Sequence, residues 1–243
     1  MNSSDSKSRG DSPARVIAID GPSGSGKSTV AKAVAAKLNV LYIDTGSMYR
    51  SLAYYCDLKG IAFVDGPELD HFLNSINLEY GVSEERLVQI NGENLTQKIR
   101  EHHVSALASQ VSQLSVVRKY LLDFQRQLAR EVVCVMEGRD IGSVVFPDAF
   151  CKFYITASIE VRAKRRLKQL IQSDSKNQEL TLDQVINDVV KRDQLDTNRA
   201  VAPLVQAEDA FYYDTSEMSF DEIVESVCLK VNEQAAKHGI EWT

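Results

Sequence analysis

The chain has 243 residues, which at about 150 residues per domain allows one domain or two. Apolar residues make up 44% and charged residues 26%, an ordinary globular composition that excludes disorder over the whole length. With 28 Lys and Arg against 34 Asp and Glu, the net charge is −6. That argues against a protein that coats nucleic acid, while leaving room for a local basic cleft.

Residues 1–14 are polar, lack the apolar middle of a secretory signal, and are expected to form a disordered tail. No apolar run approaches the roughly 20 residues needed to cross a bilayer, so no membrane partner is expected. Cys56, Cys134, Cys151 and Cys228 are widely spaced with no CxxC pair. They read as buried thiols of a cytoplasmic protein.

Val16 to Asp20, VIAID, has the β-branched apolar character of a buried parallel strand. It runs directly into GPSGSGKST, in which Gly21, Gly26, Lys27 and Ser28 match the phosphate-loop pattern GxxxxGK(S/T). An alanine-rich helix follows, so strand, loop and helix stand in the required order. Glycines let successive N–H groups turn inward on phosphates, and the helix N-terminus adds partial positive charge. Lys27 can reach the β- and γ-phosphates and the Ser28 hydroxyl can ligate Mg²⁺. Gly21, Pro22, Ser23, Gly24, Ser25, Gly26, Lys27, Ser28 and Thr29 are therefore the candidate ATP-binding segment, with Ser28 the candidate metal ligand.

Leu41 to Ile43 reads as a second strand ending in Asp44-Thr45-Gly46, followed by a helix from Ser47 through Leu58 that stops at Gly60. Between 61 and 103, INLEY and RLVQI are separated by the turn-like GVSEE and NGEN, which predicts a small antiparallel β-rich insert. A helical stretch from Val104 to Arg130 carries a break near Leu114. Val132 to Met136 and Lys152 to Thr156 read as further buried strands. A charged helix is predicted from Ser158 to Ile171, and then a mobile polar loop, QSDSKNQEL. Thr181 with Gln184 forms a capping box that opens a helix running toward Asp193. Phe211 to Tyr213 is the last strand, and Ser219 with Glu222 opens a terminal helix reaching about Lys237. Strands alternating with helices imply an α/β fold of the P-loop NTPase type. Its parallel core would comprise 15–60 and 104–243, with the ligand site at the carboxyl ends of the strands.

The arginines indicate which phosphate chemistry this is. Arg50 follows the second strand, Arg139 follows the Val132 to Met136 strand, and Arg199 lies beyond the Thr181 helix. Converging near the loop, they would bind a second anionic group. Arg162, Arg165 and Arg166, spaced i, i+3, i+4, share one helix face. Such a trio is ordinarily a solvated basic face. Beside a phosphate loop and a mobile segment it can also be a lid, spanning about 162–180, that closes on a transferring phosphoryl group.

GPSGSGKST, DTGSMYR, EGRDIGSVVFPDA and NRAVAPL, in this order and spacing from about Arg15 onward, resemble the bacterial cytidylate kinase family. The resemblance implies phosphoryl transfer from ATP to CMP or dCMP with Mg²⁺, by a monomer whose 61–103 insert is the nucleotide-monophosphate-binding region. It implies that Ser23, Arg50, Arg139 and Arg199 bind the acceptor phosphate. Ser109, Arg118 and Asp140 would read cytosine, and Arg192 and Asp196 would hold the ribose, with Thr45 among the CMP-binding residues. Lys27, Arg139 and the three lid arginines are the expected catalytic groups. Two positions depart from the family pattern: Glu137 stands where Asp is usual, and Asp193-Gln194-Leu195-Asp196 is less charged. The alternative is another small-molecule P-loop kinase, acting on a different monophosphate or a shikimate-type acceptor. A GTPase would need an NKxD string, which this chain lacks.

Overall fold

The computed structural model describes residues 13–130, 132–173 and 179–241, the side chains of His102 and Ser173 apart. In chain order come β1 (Ala14–Asp20), α1 (Lys27–Leu38), β2 (Leu41–Asp44), α2 (Thr45–Leu58), α3 (Pro67–Ser75), β3 (Leu78–Tyr80), β4 (Val88–Ile90) and β5 (Glu93–Asn94). After a 3₁₀ turn at Lys98–Arg100 follow α4 (His102–Val111), α5 (Ser115–Leu128), β6 (Cys134–Gly138), a π-helical turn (Ile141–Val145) and β7 (Ala149–Thr156). The last elements are α6 (Ile159–Ser173), α7 (Leu182–Asn198), β8 (Phe211–Asp214) and α8 (Phe220–His238). No described helix is long and apolar enough to cross a membrane.

Five strands form a parallel sheet in the order β2-β6-β1-β7-β8. Helices cover both faces, which is why these strands read as near-continuous apolar runs. On one face Ile17, Ile19, Val135 and Phe153 pack against Val30 and Val34 of α1 and Val227 and Val231 of α8. On the other, Val16, Ala18, Ile43 and Met136 pack against Met48, Leu52, Val117 and Leu121. That second core runs without interruption into Leu73, Val88 and Ile90, so residues 61–103 share apolar interior with the sheet. A small separate cluster, Ala163, Leu170, Val185 and Val189, joins α6 to α7. Strand order changes direction at β1, whose carboxyl end opens into the phosphate loop, the place where open α/β sheets bind ligands.

Several boundaries differ from the sequence reading. The expected tail reached residue 14, but Ala14 belongs to β1, its N–H donating to the Asp148 carbonyl at 3.0 Å. Residues 1–12 lie outside the described residues. Helix α2 starts at Thr45 rather than Ser47, because the Asp44 side chain accepts from the Ser47 N–H at 3.0 Å and so caps it. The strand expected at Val132 to Met136 is shifted to Cys134–Gly138, carrying Glu137 into the sheet. Helix α7 continues past Asp193 to Asn198. Between 61 and 103 the three short strands pair antiparallel. They are accompanied by α3, which opens on Pro67 and buries Leu69 and Leu73. The break near Leu114 is capped from a distance: Asp65 accepts from Ser115 N and Oγ, both at 2.8 Å, and from Val116 N at 3.1 Å.

Candidate active site

The phosphate loop threads between β7 and α6 at a spacing that only glycine permits. A Cβ on Gly21 (φ +152°) would stand 2.0 Å from the Ile155 carbonyl oxygen, and one on Gly24 (φ +77°) 2.8 Å from that of Arg162. Lys27, 6% exposed, donates from Nζ to the Pro22 carbonyl at 3.2 Å and lies 4.0 Å from Glu137 Oε2. Burial, with repulsion from Arg139, lowers the Lys27 pKa; burial, with the nearby Asp44, raises that of Glu137. An anion placed against Lys27 would favour its charged form again.

Beside the loop opens a cavity of about 240 Å³. The loop contributes Ser23, Gly24, Gly26, Lys27, Ser28 and Thr29, α2 contributes Thr45 and Arg50, and α4 contributes Ser109. Arg139 and Asp140 enter from the end of β6, Arg166 from α6, Arg192 and Asp196 from α7, and Arg199 from just beyond it. Its carboxylates are almost all paired. Arg50 meets Asp44 at 2.9 Å and Arg139 meets Asp196 at 2.8 Å. Asp140 is held by Arg199 at 3.0 Å on Oδ1 and by Arg118 on Oδ2. Burial alone would raise the Asp196 carboxyl, but Arg139, Arg199 and Arg192 outweigh it and hold the pKa below the usual range. Arg192 is less well matched, since its buried Nε has no hydrogen-bond partner among the described residues. Burial and the facing Arg139, Arg166 and Arg50 bring its pKa down to about 10. Five guanidinium groups and Lys27 thus confront one space lined by four carboxylates, an arrangement that a multiply charged oxyanion completes.

Six of the residues singled out from sequence do not line this cavity: Gly21, Pro22, Ser25, Arg118, Arg162 and Arg165. Arg118 is buried behind Asp140 and reaches the cavity through it. The single arginine face on α6 is corrected, because its three members diverge. Arg162 turns under the phosphate loop and donates to Ala157 O at 2.9 Å and Ser23 O at 3.2 Å, with Asp193 at 2.6 Å. Arg165 braces the loop from outside, through Ser25 O at 3.0 Å and Thr215 Oγ1 and O at 2.9 and 2.8 Å. It borders a second recess with Val30, Met218 and Phe220. Arg166 alone faces the cavity, 3.4 Å from Ser105 Oγ. The start of α6 packs closely on Gly24, which brings Arg162 and Arg165 within reach of the loop carbonyls of Ser23 and Ser25. Of the expected mobile loop, residues 174–178 lie outside the described residues.

No group of three or more carboxylate, imidazole or thiol side chains among the described residues could hold a metal ion by itself. Ser28 and Glu137 at the cavity wall fit a Mg²⁺ that brings most of its ligands with it as phosphate oxygens and water.

The cytidylate kinase family model matches residues 17–233. A cytidylate kinase of Thermodesulfovibrio yellowstonii is 43% identical over 226 residues, covering 91% of this chain and 99% of that protein. Those of Clostridioides difficile and Halalkalibacterium halodurans are 41% and 42% identical, over 89% and 90% of this chain and 98% and 97% of theirs. The chain belongs to the cytidylate kinase family.

In this member of the cytidylate kinase family, several site-shaping residues escaped the sequence reading. Tyr42 donates to Glu137 Oε1 at 3.1 Å, fixing the carboxylate that faces Lys27. Tyr80, at the end of β3, accepts from the Asp44 N–H at 2.7 Å and so ties that strand to the cap of α2. Asp44 itself orients Arg50, and its place at the end of an apolar strand was the available signal. Asp20 is buried at the end of β1 and accepts two backbone N–H groups from the π-helical turn. A carboxylate closing the apolar run VIAID was the sign of it.

Proposed function

We propose that the chain transfers the γ-phosphoryl group of ATP to CMP or dCMP, giving ADP and the corresponding diphosphate. The observation that carries this reading is the adjacency of a phosphate loop, with its Lys27, and a cluster of five arginines lining one cavity. The acceptor's nucleophile is already an anionic phosphate oxygen, with a second pKa near ~6, so no general base is needed. Lys27 would neutralise charge on the β- and γ-phosphates and Arg166 charge on the transferring phosphoryl, while Ser23, Arg50, Arg139 and Arg199 bring the acceptor phosphate into line despite its charge. The Asp140 carboxylate, paired with Arg118 and Arg199, offers acceptors, which suits the exocyclic amino group of cytosine and opposes the O4 of uracil. Arg192 and Asp196 take the ribose and Ser109 the base. Ser28, backed by Glu137, would hold Mg²⁺, which shields phosphate charge when bound.

A hydroxyl acceptor of the shikimate type is disfavoured by the same geometry. It would need a free carboxylate as base, whereas Asp44, Asp140 and Asp196 are engaged by arginines and Glu137 is held by Tyr42 opposite Lys27. The test is ADP release with ATP, Mg²⁺ and each monophosphate in turn. Losing one charge-assisted contact and gaining a repulsive one should give CMP an advantage of at least ~10² in kcat/KM over UMP. Equal use of UMP, or a preference for AMP, rejects the cytidylate reading.

A further inference from the structure

We infer that Asp20 is a positioning residue for base recognition: it caps the turn that follows Asp140, freeing the Asp140 carboxylate to face the cavity and linking the phosphate loop to the choice of base. The inference rests on the function proposed above. Asp20 is the last residue of β1, directly before Gly21, and is 5% exposed. Its neighbours in the sheet are Gly138 of β6 and Tyr154 of β7. After Gly138 the chain passes through Arg139 and Asp140 into the π-helical turn Ile141–Val145.

The first N–H groups of any helical turn lack a partner inside it. An Asp at the N-cap position ordinarily supplies one by folding its own carboxylate back. Asp140 occupies that position and does not do so. Its carbonyl accepts from Val144 N at 2.9 Å and Val145 N at 3.1 Å, but its carboxylate is turned away, to Arg118 and Arg199. The missing acceptors come from Asp20, 121 and 122 residues earlier in the chain. Ile141 N–H donates to Oδ1 at 2.9 Å and Gly142 N–H to Oδ2 at 2.7 Å. Both carboxylate oxygens are used, one for each orphan donor. Without them, Asp140, standing in the N-cap position, is the residue placed to satisfy the turn, and doing so would withdraw its carboxylate from the cavity.

This arrangement depends on ionisation. The charged and titratable groups facing Asp20 are Asp140 from the turn, Lys27 from α1 and Tyr154 from β7. Burial pushes the Asp20 carboxyl up to about 7, with Asp140 adding to the rise and the two N–H donors and Lys27 opposing it. A protonated Asp20 keeps one acceptor for the turn and presents an O–H to the other N–H. Base choice should therefore weaken as pH falls through 7.

The experiment measures the ratio of kcat/KM for CMP to that for UMP, at about pH 8 and about pH 6, in the wild type and in Asp20→Asn. The two substrates share ribose and phosphate, so ionisation of Lys27, of the arginines and of the acceptor phosphate cancels in the ratio. Asn offers one acceptor and an amide that cannot receive the second N–H. We expect the wild-type ratio to fall several-fold toward about pH 6. In Asp20→Asn it should be ~10-fold below wild type at about pH 8, the loss of one hydrogen bond, and flat with pH. A variant that keeps the wild-type ratio at both pH values overturns the inference. If the variant does not fold, the wild type decides alone: a ratio that falls with its midpoint near 7, above the ordinary carboxylate range, supports the inference, and one that is flat or falls only in the ordinary carboxylate range overturns it. A wild type with no preference for CMP rejects the functional reading, and the inference with it.

Discussion

Lys27 is held by a backbone carbonyl on one side and faces a buried carboxylate on the other, so its charge is poised for a ligand and contributes little to the fold. Replacing it with Ala removes a desolvated cation, and Glu137, which keeps its hydrogen bond from Tyr42, can take up a proton in compensation. Lys27→Ala should therefore melt within a few degrees of wild type while kcat drops by ~10² or more, because the lost charge acts on the transferring phosphoryl. Near-normal turnover in a folded variant would remove the phosphate-loop assignment. Lys27 and Ser28 were legible in the sequence because their chemistry is local: strand, glycines, lysine and hydroxyl follow one another along the thirteen residues from Val16 to Ser28. Tyr42 was not, since its role exists only through a partner 95 residues away on a neighbouring strand.

Helix α6 shows what side-chain spacing alone leaves undetermined. Three arginines at i, i+3, i+4 share a face, yet the loop packed on the first turn draws in Arg162 and Arg165 and leaves Arg166 to the cavity. The two kinds of arginine should separate by measurement. Arg162→Ala strips Asp193 of its partner and Ser23 and Ala157 of a donor, and should lower unfolding free energy by roughly 3 kcal/mol. Arg166→Ala should leave stability within ~0.5 kcal/mol and cut kcat by ~10² or more. Denaturant unfolding and initial rates on both variants decide it; equal losses of rate with no loss of stability in Arg162→Ala would restore the concerted lid. The capping boxes of α7 and α8 were readable because both partners sit three residues apart, and both reciprocal bonds are present. Helix α3 has only nine residues and two buried leucines, too short to declare a period. The break before α5 was legible, but its cap and the π-helical turn were not, for another reason. Asp65 and Asp20, which cap them, come from far earlier in the chain.

Over the whole molecule the net charge is −6, yet the cavity concentrates arginine against arginine. The fold therefore holds an electrostatic debt that a ligand can discharge. Because the Arg192 pKa is lower in the folded chain than in the unfolded one, its charged form destabilises the fold at every pH below about 10, neutral pH included. A bound monophosphate reverses the sign of that interaction. CMP alone, without ATP, should then stabilise the protein by the ordinary linkage relation, about 2.7 kcal/mol at a hundredfold excess over Kd. For a chain of this size each kcal/mol moves Tm by about 2–4 °C, giving a rise of roughly 5–10 °C. UMP at the same concentration should give a smaller rise, since Asp140 faces its O4 rather than an amino group. Arg192→Ala should shrink the CMP-induced rise while leaving the unliganded Tm no lower, because it removes a repulsive charge along with a binding contact. Thermal melts of both proteins with and without each nucleotide check all three expectations. An Arg192→Ala variant that melts lower unliganded, yet shows the full CMP shift, would mean that the arginine cluster serves the fold rather than the acceptor phosphate.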